Sequence, residues 1–332
     1  MSDLNRRTVL TGAVAASAAT ALTPLAASPA AAAASAGGQN AGFYRYKVGD
    51  IEVTVATDGA RSFPLPDKFV VNKTKEDVNK ALEAAFMPRD KMTIYFSPVL
   101  VKTGGKLVLI DAGYGEKMYA DSKGGAGQLK VNLAAAGVKR EDISTVIISH
   151  HHQDHVNGLL TADGKPAYPN AEILVPAKEH AFWMDDGEMS RAPKGRMEGM
   201  FKNNRKVFVD GLKNKVTPYQ WDKELAPGVT AVGTPGHTPG HTSFVIASGK
   251  DKVFVQSDVT NAPFLFVRNP RWHLVFDQDP KMAEATRLKV YDMLAAEKLL
   301  VQAYHYPFPA AGHIEKAGDG YRVHPVKWTP TL

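Results

Sequence analysis

The sequence predicts an α/β fold, and three observations predict it. Short β-branched apolar runs such as Thr145-Val-Ile-Ile and Val229-Thr-Ala-Val have the length and composition of buried strands. Stretches with helical spacing of apolar residues, at 75–86, 129–137 and 282–294, alternate with those runs. Polar, ligand-capable side chains follow several of the strands directly, where open α/β sheets collect their ligands. A chain of 332 residues is long enough for one large α/β domain or two small ones. Its 44% apolar and 22% charged residues are those of a globular protein.

The first 36 residues are set apart. The twin arginines Arg6-Arg7 precede a long Ala-rich run and small residues through Ala30 to Ala36, a pattern that resembles a Tat export signal. Cleavage is expected within 30–36, and residues 37–332 are expected to form the folded domain. Alanine is weakly apolar, and Pro24 and Pro29 interrupt the run, so no permanent membrane anchor is expected. The expected location is periplasmic or secreted, by the Tat route.

Composition removes several chemistries. The chain has no cysteine, which excludes disulfides, thiolate zinc sites, iron–sulfur clusters and a cysteine nucleophile. Any metal must be held by His, Asp or Glu. The net charge is +6, but basic residues are scattered among acidic ones, with no basic block interleaved with aromatics. No nucleic-acid partner is expected.

Taken in order, residues 44–48 and 51–56 read as a hairpin about Gly49-Asp50. Phe63-Pro-Leu-Pro-Asp reads as irregular and opens a long excursion. Residues 97–102 and 106–110 form a second hairpin about Gly104-Gly105, running into Asp111-Ala-Gly. The strand at 145–148 leads into the His cluster. Residues 171–176 are the next strand. The polar, Met- and aromatic-rich stretch 178–206 reads as helices with a mobile connection, a candidate lid. The strand at 229–232 enters two Pro-Gly turns around His237. Paired strands at 244–247 and 252–256 end at Asp258. The aromatic stretch 264–276 follows, then a strand at 299–303 ending near His305 and a closing strand at 321–326.

The chemistry concentrates in His150-His151-His152-Gln153-Asp154-His155, four histidines and one aspartate in six positions after a buried strand. The motif of a strand followed by His or Asp recurs at His237, Asp258 and His305. Together these give seven candidate ligands: His150, His152, Asp154, His155, His237, Asp258 and His305. Seven donors are too many for one tetrahedral zinc and suit two ions that share a carboxylate. His151 is expected to point away, and His241 to be a neighbour of the ligands rather than a ligand. His313 is placed in a turn near the pocket, and His180, His273 and His324 are read as structural. Trp183, Phe201, Phe264 and Trp272 are expected to line a substrate pocket. Tyr114, Tyr304 and Tyr306 are the candidates for a proton donor.

His150-X-His152-X-Asp154-His155, followed by His237, Asp258 and His305, with Asp111-Ala-Gly upstream, resembles the metallo-β-lactamase-fold hydrolase superfamily across most of the chain past residue 36. The resemblance implies a four-layer αββα sandwich. It implies one zinc held by His150, His152 and His237, a second held by Asp154, His155 and His305, and Asp258 between them. Asp154 and Asp258 would position a bridging hydroxide. The layout is most similar to the methyl parathion hydrolase and lactonase-like group, through Thr234-Pro-Gly-His-Thr-Pro-Gly-His241, the run Pro307 to His313, and Phe182-Trp183. Residues 263–272 depart from that group. The implied protein is a dinuclear zinc hydrolase of lactones or aryl esters, with phosphotriesters as a further class, acting on a small molecule and forming a homodimer. The alternatives are a β-lactamase outside the cysteine-ligand subclasses, a di-iron oxidoreductase, and a metal-dependent binding or sensor protein without turnover. The oxidoreductase is disfavoured by His152 and by the lack of residues for a flavin domain.

Overall fold

Side chains that alternate between two faces along short strands build two sheets and fill the space on both sides of each. In the computed structural model, which describes residues 40–332, the first half of the chain supplies β1 (Phe43–Val48), β2 (Ile51–Ala56), β3 (Gly59–Pro64), β4 (Lys91–Phe96), β5 (Val99–Thr103), β6 (Lys106–Ile110), β7 (Thr145–Ile147), β8 (Glu172–Pro176) and β9 (Thr217–Tyr219). The second half supplies β10 (Glu224–Ala226), β11 (Val229–Gly233), β12 (Thr242–Ser248), β13 (Asp251–Ser257), β14 (Leu300–Ala303), β15 (Ala311–Ala317) and β16 (Gly320–Pro325). One seven-stranded sheet runs β1-β2-β5-β6-β7-β8-β9 and the other runs β10 through β16 in order. The export signal expected over 1–36 lies outside the described residues.

The period-2 alternation sorts side chains into layers. Val53, Val101, Val108, Ile110, Ile147 and Leu174 of the first sheet meet Ala231, Phe244, Ile246, Val253 and Val255 of the second, forming the core between the sheets. The intervening residues Leu100, Leu109, Val146, Ile173 and Val175 face outward against Leu129 and Leu133 of a helix at Leu129–Ala135, and against Val207 and Phe208. On the far side, Phe254, Val301 and Ala303 of the second sheet pack on Val290, Tyr291 and Leu294 of the long helix Pro280–Glu297. The result is helix, sheet, sheet, helix, the four-layer αββα sandwich. Each fully buried Val, Leu or Ile contributes roughly 1.5–3 kcal/mol.

The strands pair in parallel at β6–β7, β7–β8, β8–β9 and β13–β14, and otherwise antiparallel. β6, β7, β13 and β14 all deliver their carboxyl ends to one rim, where the polar residues of the site emerge.

The excursion after β2 differs from the expectation of irregular chain. Residues Gly59–Pro64 form β3 and pair with β4 as a separate two-stranded sheet. Pro64 sits at the last position of β3, where a missing N–H is tolerated. His313 also departs from expectation: it lies exposed on β15, opposite His324, rather than in a turn near the site.

The chain just past the His cluster is held tightly to the end of β6. The Ala112 N–H donates to the His155 carbonyl at 2.8 Å, and the Gly158 N–H donates to the Gly113 carbonyl at 2.9 Å. A Cβ on Gly158 would run into the Ala112 carbonyl oxygen. Gly158→Ala is therefore expected to lower stability by about 1–3 kcal/mol through overpacking, read as a shift in the urea midpoint.

Candidate metal centre

Each candidate ligand stands just beyond a buried strand end. After β7, Ser149 is locked by Asp111: its N–H and its hydroxyl both donate to the Asp111 carboxylate at 2.8 Å. Asp111 adopts a left-handed backbone conformation, φ 62°, at the end of β6, and this turns its carboxylate under the next loop. His150 and His152 follow, and a short helix, Gln153–Val156, then lifts Asp154 and His155 toward the same point. The turn after β11 brings His237, the end of β13 brings Asp258, and the end of β14 brings His305.

The donor atoms converge in two groups. One atom from each of His150, His152, His237 and Asp258 lies within 4.8 Å of the others, and the same holds for Asp154, His155 and His305. Asp258 sits between the groups. Its carboxylate is 2.9 Å from His305 Nε2, 3.2 Å from His237 Nε2 and 3.3 Å from His155 Nε2. All seven expected ligands are thus brought together.

Most of the imidazoles have their far nitrogen fixed. His155 Nδ1 donates to Asp111 at 2.8 Å, His237 Nδ1 to Asp277 at 2.8 Å, and His305 Nδ1 to the Tyr95 carbonyl at 2.7 Å. His150 Nδ1 is 3.0 Å from the Ser149 hydroxyl, whose proton goes to Asp111. Fixing Nδ1–H leaves the Nε2 lone pair facing the centre, as metal-binding histidines require. His152 brings its Nδ1 to 2.9 Å from His237 Nε2.

The residues present fit divalent cations. His150 Nε2, His152 Nε2, His155 Nε2 and Asp258 Oδ1 are buried without a hydrogen-bond partner. Orphaned atoms of this kind are costly, and those of His150, His155 and Asp258 face one another across the site, where His152 presents its Nδ1. Imidazole nitrogen with carboxylate oxygen is a zinc-type donor set.

Electrostatics follow from burial and from the carboxylates. Burial holds His150 and His152 well below the ordinary imidazole range, in the neutral, ligand-competent form. Burial also pulls on His155, but the carboxylates of Asp111, Asp258 and Asp154 outweigh it and push the ring well up. The same competition, against Asp258 and Asp277, leaves His237 at about 9. Burial pushes Asp258 up, yet the neighbouring His305 and His155 bring it well below the usual carboxylate range.

Three supporting carboxylates gave no local signal in the sequence. Asp277 orients His237 and is itself met by the buried Arg287 at 3.2 Å, which also donates to the Val259, Pro270 and Trp272 carbonyls. Glu179, fully buried, accepts from the His151 N–H at 3.0 Å and the Gly240 N–H at 2.8 Å, tying the two ligand loops together. Gly240 is needed there, because a Cβ would strike the Glu179 backbone. Asp58 accepts the N–H groups of Tyr114 and Leu129, and burial pushes its carboxyl up to about 7.

The remaining histidines divide as follows. His151 turns away, stacking on Phe208 with ring centroids 4.3 Å apart and meeting His180 at 3.2 Å. His241 is no ligand: its Nε2 accepts the Asp258 N–H at 2.9 Å and so fixes that residue's backbone. Tyr304 stacks on His155 and donates to the Asp154 carbonyl, and Tyr306 is buried against Tyr291. Of the three tyrosines, Tyr114 is the one that lines the cavity.

A cavity of about 320 Å³ opens over the donor atoms of His152, Asp154, His237, Asp258 and His305. Phe63, Ile94, Phe96, Met200 and Phe276 make its apolar wall, with Arg61, Tyr114, Arg196 and Asn261 as polar groups. The four aromatics expected to line it do not. Trp183 and Phe201 are buried beneath Met200, with the Trp183 indole N–H donating to Glu179 at 2.7 Å. Phe264 and Trp272 pack into the cluster around Phe69 and Phe266. The wall comes instead from the paired strands β3 and β4, whose residues 61, 63, 94 and 96 share a face because the side-chain period is 2. The stretch read as a candidate lid supplies Arg196, Gly199 and Met200 to this wall.

An αββα sandwich with seven His and Asp donors at the rim of its strands defines a class of metal-binding domain. The chain belongs to the metallo-β-lactamase superfamily, whose family model matches residues 97–320. Among relatives, an N-acyl homoserine lactonase of a Bacillus species is 28% identical over 172 residues, 51% of this chain and 58% of that protein. An N-acyl homoserine lactonase of Bacillus cereus is 31% identical over 118 residues, 36% of this chain and 38% of that protein. The match therefore spans less than two thirds of these relatives' own length. Among solved structures, the dizinc quorum-quenching lactonase AidC, in complex with a homoserine product, superposes with a TM-score of 0.80 at 27% identity, covering 87% of this chain and 98% of that one. The hydrolase AbOPH of the β-lactamase superfamily superposes with a TM-score of 0.80 at 26% identity, covering 88% and 100%.

Removing a carboxylate that orients a ligand typically costs 10–100-fold in metal affinity. Asp277→Ala is expected to weaken zinc binding by about that factor, measured by competition with a chromophoric chelator.

Proposed function

We propose that this chain is a dinuclear zinc hydrolase that opens lactones and cleaves aryl esters. The observation that carries the reading is the meeting of seven donors in two groups around Asp258, beneath an aromatic-walled cavity. His150, His152 and His237 would hold one ion, Asp154, His155 and His305 the other, and Asp258 both. When bound, two such cations supply a hydroxide nucleophile at neutral pH and stabilise the negative charge that develops on the attacked carbonyl. The named relatives, lactonases in sequence and a dizinc lactonase in structure, support the same reading.

The protein's own residues do the rest. Asp111, Asp277 and the Tyr95 carbonyl hold the imidazoles in register, so the centre is assembled before substrate arrives. Phe63, Phe96 and Phe276 receive the apolar part of the substrate and displace water from it. Burial pushes the Tyr114 phenol above its ordinary range, so it keeps its proton at neutral pH. Its oxygen lies 3.4 Å from an Arg61 guanidinium nitrogen, which leaves the O–H free to donate toward a leaving oxygen in the cavity.

Zinc-reconstituted protein is expected to turn over an aromatic lactone and an acyl-homoserine lactone with higher kcat/KM than an aryl phosphotriester. His152→Ala should reduce lactone turnover by about a hundredfold or more. Dominant phosphotriester or β-lactam turnover would reassign the substrate class, and tight binding without turnover would make this a sensor. Export by the twin-arginine route belongs to the same proposal and is supported by Arg6-Arg7 and the Ala-rich run. Replacing both arginines by lysine is expected to retain the enzyme in the cytoplasm, read by cell fractionation.

A further inference from the structure

The donor residues aside, the charged side chains lining the cavity are Arg61 and Arg196. Both lack a carboxylate partner among the described residues. Of the nine other arginines among the described residues, eight stand within 4.0 Å of an Asp or Glu oxygen, and Arg268 is the exception. Both side chains are solvent-exposed, so the missing partner carries meaning only through where they stand. These two stand on an aromatic wall above a centre that gathers its own acids around the metal site.

Both guanidinium groups are held in place with donors to spare. Arg196 donates one N–H to the Val275 carbonyl at 3.0 Å, and its guanidinium carbon stands 4.5 Å from the Phe276 ring centroid. Arg61 approaches the Tyr114 hydroxyl at 3.4 Å and stands 5.6 Å from that ring. A guanidinium carries five N–H donors in a planar fork. Each guanidinium lies over an aromatic ring, which favours its place at the cavity while leaving the remaining donors free for a planar anion.

We propose that Arg196 and Arg61 form an anion subsite, so that the preferred substrate is a lactone or aryl ester that bears a carboxylate away from the bond being cleaved. The inference rests on the hydrolase reading above and narrows its substrate class. Phe63, Phe96 and Phe276 take the apolar body between the two ends, the metal centre takes the reacting carbonyl, and the arginine pair takes the acid. A cavity with this charge also concentrates anionic substrates at its mouth. The competing role for Arg196 is a strut that joins the helix Arg196–Asn204 to the segment at Val275-Phe276. A strut would affect stability and leave anion preference unchanged.

The test is calorimetric binding to the zinc-loaded protein of matched acids: hexanoate against adipate, and benzoate against terephthalate. Each pair offers one carboxylate to the metals, and the second member alone adds another. The expected result is about tenfold or tighter binding of at least one diacid over its partner, as a charge-assisted bidentate contact provides. Arg196→Met should abolish that advantage and Arg61→Met reduce it, with monoacid affinity preserved in both. Arg196→Lys, which keeps the charge but loses the fork, should restore part of it. Equal affinities within both pairs in the unaltered protein, or an advantage that survives both methionine variants, would overturn the proposal. Binding needs no turnover, so an enzyme inactive on lactones leaves this test readable. Lactone turnover with equal acid affinities would defeat the anion subsite alone.

Discussion

The structure depends on one buried carboxylate. Asp258 lies at the end of β13 with almost no exposure, and one of its oxygens has no hydrogen-bond partner. Burying an isolated carboxylate costs several kcal/mol unless opposite charge compensates it. Here the compensation comes from imidazoles on three separate strand ends and, in the reading proposed above, from the cations those imidazoles hold. His150, His155, His237 and His305 all approach the same carboxylate to within 4 Å. Removing it would leave two half-sites with nothing shared between them.

That arrangement requires the rim of the sandwich to be rigid, and the buried polar groups below it make it so. Asp111 takes three hydrogen bonds, from Ser149 twice and from His155. Glu179 joins the loop of His151 to the loop of Gly240. Arg287, threaded among three carbonyls, holds Asp277 against His237. Each group is buried and satisfied, so the ligand loops have few alternative positions. The hydrophobic layers set the height of the strand ends, and this polar layer sets the direction of the rings.

The ligands were legible because their signal is local. Thr145–Ile147 is β-branched throughout and carries no charge on either face, so it reads as a covered strand, and four histidines in the next turn have no ordinary surface explanation. Period-2 alternation likewise announced β1 and β2, and the Gly104-Gly105 turn announced β5 and β6. The cavity wall was not legible, because it depends on which distant segments meet. Trp183 and Phe264 are large, aromatic and near ligands in the chain, but burial behind the wall offers them more contact than the cavity does. Phe63 and Phe96 lie on a two-stranded sheet that the prolines of 63–67 disguised. Asp277 sits in a polar stretch before a helix, where an acid is normally a cap, as Asp279 is.

In the proposed reading, seven donors around Asp258 make one dinuclear centre. The most direct measurement is zinc content per chain, by plasma emission spectrometry on gel-filtered protein, for the unaltered chain and for Asp258→Ala. A shared-carboxylate site requires about two zinc ions per chain in the first, and no more than about one is expected in the second. One zinc per unaltered chain, or a variant that keeps both ions at the same affinity, would contradict it.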